Sequence, residues 1–312
     1  MGTILLFGQA RFGQKVFEGL LERGHRVTAV CVPPDADGQP TDPLKAAALE
    51  RGTRVLQRKS WRGEEAAHEA GAHAVDLGVL AYVTQIVPST ILDAPRFGSI
   101  CFHPSLLPAY RGGSAVNWQI IDGLATAGIT LFRPDDGIDA GPVYLQRELT
   151  IGPDDTAGSF YYGKVFDAGV DATLECVELV LAAKAKGIPQ DVSLATYEPL
   201  CRDEHACVDW ARSVRQVHDL VRGCDPSPGA HARAGEAVVR LYGSRIASQH
   251  DRGPVGTVLA IGEAGIEVAA AGGSVLLARL GVGGKKLPAA EAAGLLGLTV
   301  GTRLGTGRVS TR

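Results

Sequence analysis

Apolar and polar positions alternate in blocks along the first 187 residues. The opening run TILLFG is short, apolar and closed by glycine, and in the RFGQKVFEGLLERG that follows, Phe12, Val16, Leu20 and Leu21 share one helical face. Strand, turn and helix are predicted. HRVTAVCV reads as a second strand, PLKAAALERG as a helix, and TRVLQ and AVDLGVLAY as further strands. Beyond them come the strand FGSICFH, the helix SAVNWQIIDG, the strands GITLFRP and GPVYLQRELT, and a long helical stretch from Thr156 to Gly187. Such alternation predicts an α/β fold, a Rossmann-like, doubly wound and mostly parallel sheet.

The pattern changes between Ile188 and His205, where IPQDVSLATYEPLCRDEH mixes two prolines with uneven polarity. A linker is expected there. After one more helix, VDWARSVRQVHDLVRG, the chain breaks into short apolar runs separated by glycines: AVVRLYG, GTVLAIG, GIEVAAAGG and SVLLARL. Closely spaced strands with turn signals predict a small β-barrel. The expected organisation is therefore residues 1–187 as a catalytic domain, 188–207 as a linker and 208–312 as the barrel domain.

Composition narrows the classes. Lys and Arg number 31 against 34 Asp and Glu, so no long-range positive field gathers polyanions. ILLFG is too short for a signal-peptide core, and no window approaches the roughly twenty apolar residues of a membrane helix, so no membrane association and a cytoplasmic location are expected. The six cysteines, Cys31, Cys101, Cys176, Cys201, Cys207 and Cys224, contain no C-x-x-C pair or zinc-like spacing, which predicts reduced thiols and no metal.

Three constellations carry candidate chemistry. In the first turn, GQARFG, Gly8 and Gly13 would let backbone approach a phosphate at a helix N-terminus; the alternative is a tight strand-to-helix connection that needs glycine. The turn lacks the Lys-Ser/Thr of a P-loop. In SICFHPS, alternation puts Cys101 and His103 on one strand face, and Pro104 holds His103 extended while ending the strand behind it. His103 thus stands at a strand's carboxyl end, where open α/β sheets bind ligands. The third is DDGIDAGP, residues 135–142, whose glycines allow close bending and whose Asp135, Asp136 and Asp139 supply carboxylates; it also reads as an ordinary Asp-Gly turn. An aspartate beside a histidine can orient the imidazole or accept a proton. Cys101 is a candidate nucleophile beside His103, or a buried and inert packing residue. Lys285 and Lys286 form a small basic spot that reads as a solvated turn.

HPSLLPAYRGGSAVNW followed by DDGIDAGPVYLQ resembles the folate-dependent formyltransferase family, whose members use 10-formyltetrahydrofolate. The pairing of the two motifs is far more specific than either alone, and the likeness runs along nearly the whole chain. FGQARFGQKV, VPPDADGQPTDPLK, SWR and PDDGIDAGPVYLQRE are similar to the hydrolase domain of 10-formyltetrahydrofolate dehydrogenase, and the two-part organisation resembles that of methionyl-tRNA formyltransferase. By this resemblance His103 is the catalytic histidine and Asp139 the catalytic carboxylate. It also implies a pterin pocket lined by backbone at Leu80, Ala81 and Tyr82 and by the loop Asp135, Asp136, Gly137, Ile138 and Asp139.

The family's usual Asn-x-His reads Cys101-Phe102-His103 here. The asparagine amide would donate to the oxyanion formed on the formyl carbon, a donor worth about 3–4 kcal/mol of transition-state stabilisation in comparable enzymes. A thiol is a weak replacement. The hydrolase branch also lacks the asparagine. The implied reaction is formyl transfer from 10-formyltetrahydrofolate to a nucleophile, with His103 donating to the oxyanion and Asp139 orienting it and helping to accept a proton. Family members that act on methionyl-tRNA carry a basic loop after the second strand, whereas PPDADGQPTDP holds three aspartates and no Lys or Arg. An acidic loop repels the phosphates that dominate nucleic-acid affinity, so a small-molecule amine is the expected acceptor. Hydrolysis to formate is the close alternative and tRNA formylation the third. A catalytically silent folate-binding protein is the rival class, against which the presence of both His103 and Asp139 argues.

Overall fold

The first sheet is made of β1 (Thr3–Gly8), β2 (Arg26–Val32), β3 (Arg54–Gln57), β4 (Leu77–Ala81), β5 (Ser99–His103), β6 (Thr126–Phe132) and β7 (Val143–Thr150). Its strand order is β3-β2-β1-β4-β5-β6-β7 in a computed structural model that describes residues 1–306. The first five strands of that order run parallel, and β6 is antiparallel to β5 with His103 opposite Thr130. The expected Rossmann-like sheet is present, and the order reverses beside β1, where β4 follows on its other edge. Crevices at such reversals are the ligand sites of open α/β sheets.

Both faces of this sheet are covered, which is why its strands read as unbroken apolar runs. One face receives α1 (Ala10–Glu22) and a later helix, Phe166–Leu181. On the other, Leu5, Phe7, Cys31 and Leu80 pack with Trp61, with Ala66 and Ala70 of a helix at Glu64–Ala70, and with Ile91 and Leu92 of one at Ser89–Leu92. A helix at Pro43–Glu50 opens on Asp42, whose carboxylate accepts from Leu44 N and Lys45 N. In chain order these helices are α1, α2 (Pro43–Glu50), α3 (Glu64–Ala70), α4 (Ser89–Leu92), α5 (Ala115–Ile121), α6 (Ala157–Phe160), α7 (Phe166–Leu181), α8 (Val214–Gly223) and α9 (Ala289–Leu295).

The stretch expected to be helical from Thr156 to Gly187 is divided. A π-helical turn at Tyr161–Val165 separates α6 from α7, and α7 stops at Leu181. The stop is a left-handed Ala183, φ +53°, after which Lys184 N returns to Leu179 O at 2.8 Å. Likewise the helix expected from Val208 begins only at Val214, because Ser213 and Gln216 form a reciprocal capping box there.

The second sheet holds β8 (Ala230–Ala234), β9 (Ala237–Ser248), β10 (Val258–Gly262), β11 (Gly265–Ala270), β12 (Gly273–Val282), β13 (Lys285–Pro288) and β14 (Gly305–Thr306). Its order is β10-β11-β12-β9-β8-β14, with β13 on β12, and these neighbours pair antiparallel. It curls until its ends meet, through a Thr257–Arg303 bridge and a Val258 N to Thr302 O bond of 2.9 Å. The small barrel is therefore present; residues 307–312 of the expected 208–312 domain lie outside the described residues.

By compactness the chain forms two units. The first holds Met1–Gly112, Gly128–Leu149 and Gly163–Tyr197; the second holds Gly113–Ala127, Thr150–Tyr162 and the chain from Glu198. Within the second, α5 lies on α8 so closely that a Cβ at Gly223 would stand 2.5 Å from Ile121 Cγ1, and Asn117 Nδ2 donates to Gly223 O at 2.8 Å. Buried Arg222 donates to Asp219 Oδ1 at 2.7 Å and to the Asp155 carbonyl at 3.0 Å. Lys286 is not a free cation: its Nζ lies 2.8 Å from Asp225 Oδ1 and 3.8 Å from the Tyr242 ring centroid. Among the described residues no helix is long and apolar enough to cross a membrane.

Candidate active site

Strand β5 delivers its side chains alternately to the two faces. Phe102 stacks on Phe12 with ring centroids 4.5 Å apart and rests over Gly169, where a Cβ would come within 2.7 Å of its ring. Cys101 points the other way and packs against the cluster of Leu5, Phe7 and Leu80. His103, at the strand's last position, is only 4% exposed. Leu80 is paired with Cys101 across β4 and β5, so the end of β4 at Ala81 adjoins the same strand end.

Both nitrogens of His103 are accounted for. Nε2 lies 2.8 Å from the Tyr110 carbonyl oxygen, and Nδ1 lies 3.5 Å from Asp139 Oδ2. A carbonyl only accepts, so Nε2 carries a proton, and in the neutral ring Nδ1 is the lone-pair atom facing the carboxylate. A proton taken up at Nδ1 makes an imidazolium whose charge Asp139 balances. The pair is therefore built to receive and release a proton at Nδ1.

The Tyr110 carbonyl is held by a buried hydrogen-bonded loop. Thr130 Oγ1 donates to Ser105 O at 2.6 Å and accepts from Leu107 N at 3.1 Å and Gln146 Nε2 at 2.9 Å. Gln146 also donates to Leu107 O at 2.8 Å, and Ser105 Oγ to Ala109 O at 2.7 Å. Leu107-Pro108 is cis, and Tyr110 itself has φ +58°.

Asp139 has φ +51°, a left-handed conformation that costs a side-chain-bearing residue on the order of 1 kcal/mol. Its Oδ2 accepts from Gly112 N at 2.9 Å, which fixes the carboxylate toward His103. Two residues on, a Cβ at Gly141 would overlap the Arg133 carbonyl, so only glycine lets the loop turn there. Asp135 Oδ1 accepts from Gly137 N at 2.9 Å, and Asp135, Asp136, Gly137 and Ile138 are exposed, Ile138 by 56%. Tyr82, φ +62°, is 44% exposed beyond buried Leu80 and Ala81. Among the described residues, three of the five non-glycine residues with positive φ are Tyr82, Tyr110 and Asp139, all on the segments around His103 and its partners. Strain of this kind concentrates at functional sites.

Cys101 is a poor nucleophile. Burial, and secondarily the Asp139 charge, push its thiol well above the ordinary range, and its Sγ donates to its neighbour's carbonyl, Phe102 O, at 3.7 Å. At the first turn Ala10 N donates to Asp42 Oδ2 at 2.7 Å, so this amide of the α1 N-terminus is already engaged. Gly8 is required there because a Cβ would stand 2.6 Å from Ala81 O, which supports the tight-connection reading of that turn. The parts that sequence reasoning missed are the Tyr110 carbonyl, the Gly112 amide, Thr130 and Gln146. Thr130 alone left a trace, as a polar residue inside the apolar run GITLF.

Two family models match the chain: Formyl transferase over residues 3–177 and Formyl transferase, C-terminal domain over residues 201–294. The mitochondrial 10-formyltetrahydrofolate dehydrogenase of Mus musculus is 42% identical over 248 residues, covering 78% of this chain and 27% of that protein. The chain thus spans about a quarter of the length of those dehydrogenases. The methionyl-tRNA formyltransferase of Geobacter sulfurreducens is 38% identical over 308 residues, 97% of this chain and 96% of that one. Among solved structures, HypX from Aquifex aeolicus in complex with tetrahydrofolic acid superposes with a TM-score of 0.69 at 22% identity, covering 95% of this chain and 47% of that chain. The sugar 3N-formyl transferase WlaRD does so with 0.69 at 16% identity, covering 91% and 97%. These two likenesses establish the shared fold.

Proposed function

The chain belongs to the formyl transferase family, and from that premise we propose that it moves the formyl group of 10-formyltetrahydrofolate to an amine at His103 and Asp139. The observation that carries this reading is the buried histidine whose Nε2 is committed to Tyr110 O while Nδ1 faces a carboxylate at 3.5 Å. That separation exceeds a charge-assisted hydrogen bond, so an Nδ1 proton is not committed to the carboxylate and can be shared with an oxyanion placed beside it. The amine nitrogen attacks the formyl carbon, and its C–N bond forms as the carbonyl oxygen becomes the oxyanion. His103, protonated at Nδ1, donates to that oxygen, and Asp139 accepts the proton the amine loses. Collapse of the intermediate breaks the bond from the formyl carbon to N10, and the proton passes to N10. The products are a formamide and tetrahydrofolate.

In this reading residues 1–187 carry the chemistry, 188–207 join them to the barrel from 208, and the setting is one-carbon metabolism in the cytoplasm. Backbone at Leu80, Ala81 and Tyr82 and the loop from Asp135 to Asp139 line the folate. Cys101 replaces an amide donor with a thiol, so one side-chain donor serves the oxyanion.

A small-molecule amine is the assigned acceptor, supported by the absence of Lys and Arg from residues 33–43. Two other acceptors have their own support. Water would make the protein a 10-formyltetrahydrofolate hydrolase, a reading favoured by its 42% identity to the dehydrogenase over 78% of the chain. Methionyl-tRNA is favoured by the end-to-end match to the Geobacter sulfurreducens enzyme. The acidity of residues 33–43 is also partly spent internally, Asp35 on Lys45 and Asp42 on two helix N-termini. Following tetrahydrofolate release from 10-formyltetrahydrofolate alone, with a panel of small amines, and with initiator methionyl-tRNA separates the three. No release under any condition would refute formyl transfer altogether.

A further inference from the structure

Asp139 serves His103 from a loop that holds it at a left-handed angle, which costs an aspartate on the order of 1 kcal/mol. Its left-handed φ persists where surrounding contacts over-determine it. The contact that does so comes from residue 190, just beyond the isolated bridge between Val143 and Ile188. Gln190 Nε2 donates to the Asp139 carbonyl at 2.9 Å and to the Gly141 carbonyl at 2.7 Å. Its Oε1 accepts from Arg111 Nη2 at 2.7 Å and Nε at 3.3 Å. The amide's orientation is chemically fixed, because a guanidinium only donates and carbonyls only accept. Nε2 thus bridges the carbonyls on either side of the Ala140–Gly141 peptide.

The same strand of chain also grips the other half of the pair. Arg111 N donates to Thr196 O at 3.0 Å, and Tyr110 N to Thr196 Oγ1 at 2.8 Å. Tyr110 is the residue whose carbonyl holds His103 Nε2, and Gly112, next along, supplies the amide that holds Asp139 Oδ2. The segment from Ile188 to Tyr197 therefore ties the two loops that carry His103's partners to one another.

We infer that Gln190 is a positioning residue for the reaction, setting through two backbone carbonyls the angle at which the Asp139 carboxylate faces His103. This rests on the reading of His103 and Asp139 given above. A misplacement of about 1 Å at such a pair costs up to about a hundredfold in rate.

The test uses Gln190→Glu, which keeps the shape and can accept from Arg111 but has no N–H to give, and Gln190→Met, which removes the donors without adding charge. Each should lower kcat for tetrahydrofolate release at least about tenfold while KM for 10-formyltetrahydrofolate stays within about threefold. In an Asp139→Asn background neither should cause further loss. If either variant folds and keeps kcat within about twofold of the wild type, the positioning role is wrong. Hydrogen–deuterium exchange gives a readout independent of turnover: peptides covering 108–112 and 137–142 should exchange faster in Gln190→Glu. Unchanged exchange there overturns the inference even if the wild-type protein proves inactive on 10-formyltetrahydrofolate, an inactivity that would itself refute the proposed function.

Discussion

His103 and Asp139 are related through Nδ1, while the opposite face of the imidazole is closed by a backbone carbonyl. The ring therefore presents one nitrogen, Nδ1, for proton exchange, and the carboxylate stands 3.5 Å from it. Replacing either residue with Ala should reduce turnover at least about a hundredfold, the scale of acid-base and oxyanion contributions. Tetrahydrofolate binding should survive both changes, as read by fluorescence titration. Near-normal kcat in His103→Ala would exclude the assignment.

Cys101 shares the strand face of His103, yet burial and the neighbouring Asp139 charge hold its thiol in the protonated form. Its folded-state titration is displaced upward, so thiolate forms only at a pH above that of an ordinary cysteine. Cys101→Ala should leave activity within a few-fold, and iodoacetamide should label the residue slowly at pH 8. Cys101→Asn restores an amide at the customary place and should raise formyl transfer to an amine. Trapping a formyl thioester on the wild-type protein would overturn this and make the mechanism two-step.

Methionyl-tRNA discriminates among the acceptor readings. Lys286 is bound to Asp225, and residues 33–43 contain no cation, so neither offers phosphate contacts. Initiator methionyl-tRNA should be formylated more slowly than the best small amine, and its binding should be weak even at low salt. Efficient formylation would instead establish the tRNA reading.

His218 links the barrel unit's stability to pH. It is buried, with Nε2 2.9 Å from Pro153 O and Nδ1 3.0 Å from Ser244 Oγ, an arrangement that satisfies the neutral ring. Burial, aided by the Arg222 charge, lowers its titration below the ordinary value of 6.5, so below that pH the unfolded chain binds the extra proton more readily. The contribution is complete above about pH 6.5 and is lost as pH falls toward the depressed folded value. Melting temperature should therefore decline on acidification from pH 7 to 5. In His218→Gln the pH slope should be shallower, and an unchanged slope would show that other groups set it.

The α/β pattern was readable because the first sheet is buried on both faces, which leaves uninterrupted apolar runs such as TILLFG and AVDLGVLAY. His103 was readable because Pro104 marks the strand's end. The Tyr110 carbonyl and the Gly112 amide were not, since every residue type carries those groups and only the chain path decides where they point. The same holds for β6, whose antiparallel course depends on a connection through α5 and leaves no local signature. Gln190 lay in a stretch whose mixed polarity suggests only a linker, and its two acceptors are backbone atoms about fifty residues earlier.

The close seating of α5 against Gly223 of α8 has a consequence for how the protein is born. About a hundred residues separate the two helices along the chain, so at typical synthesis rates of about 5–20 residues per second α5 emerges from the ribosome roughly 5–20 seconds before its partner exists. During that interval Ile120 and Ile121, which end in or against apolar packing, have no α8 to cover them. The unit built from three separate stretches of chain can close only after the last of them is made. A nascent chain stalled before residue 214 should therefore be held by chaperones through this helix, and release should coincide with translation of α8.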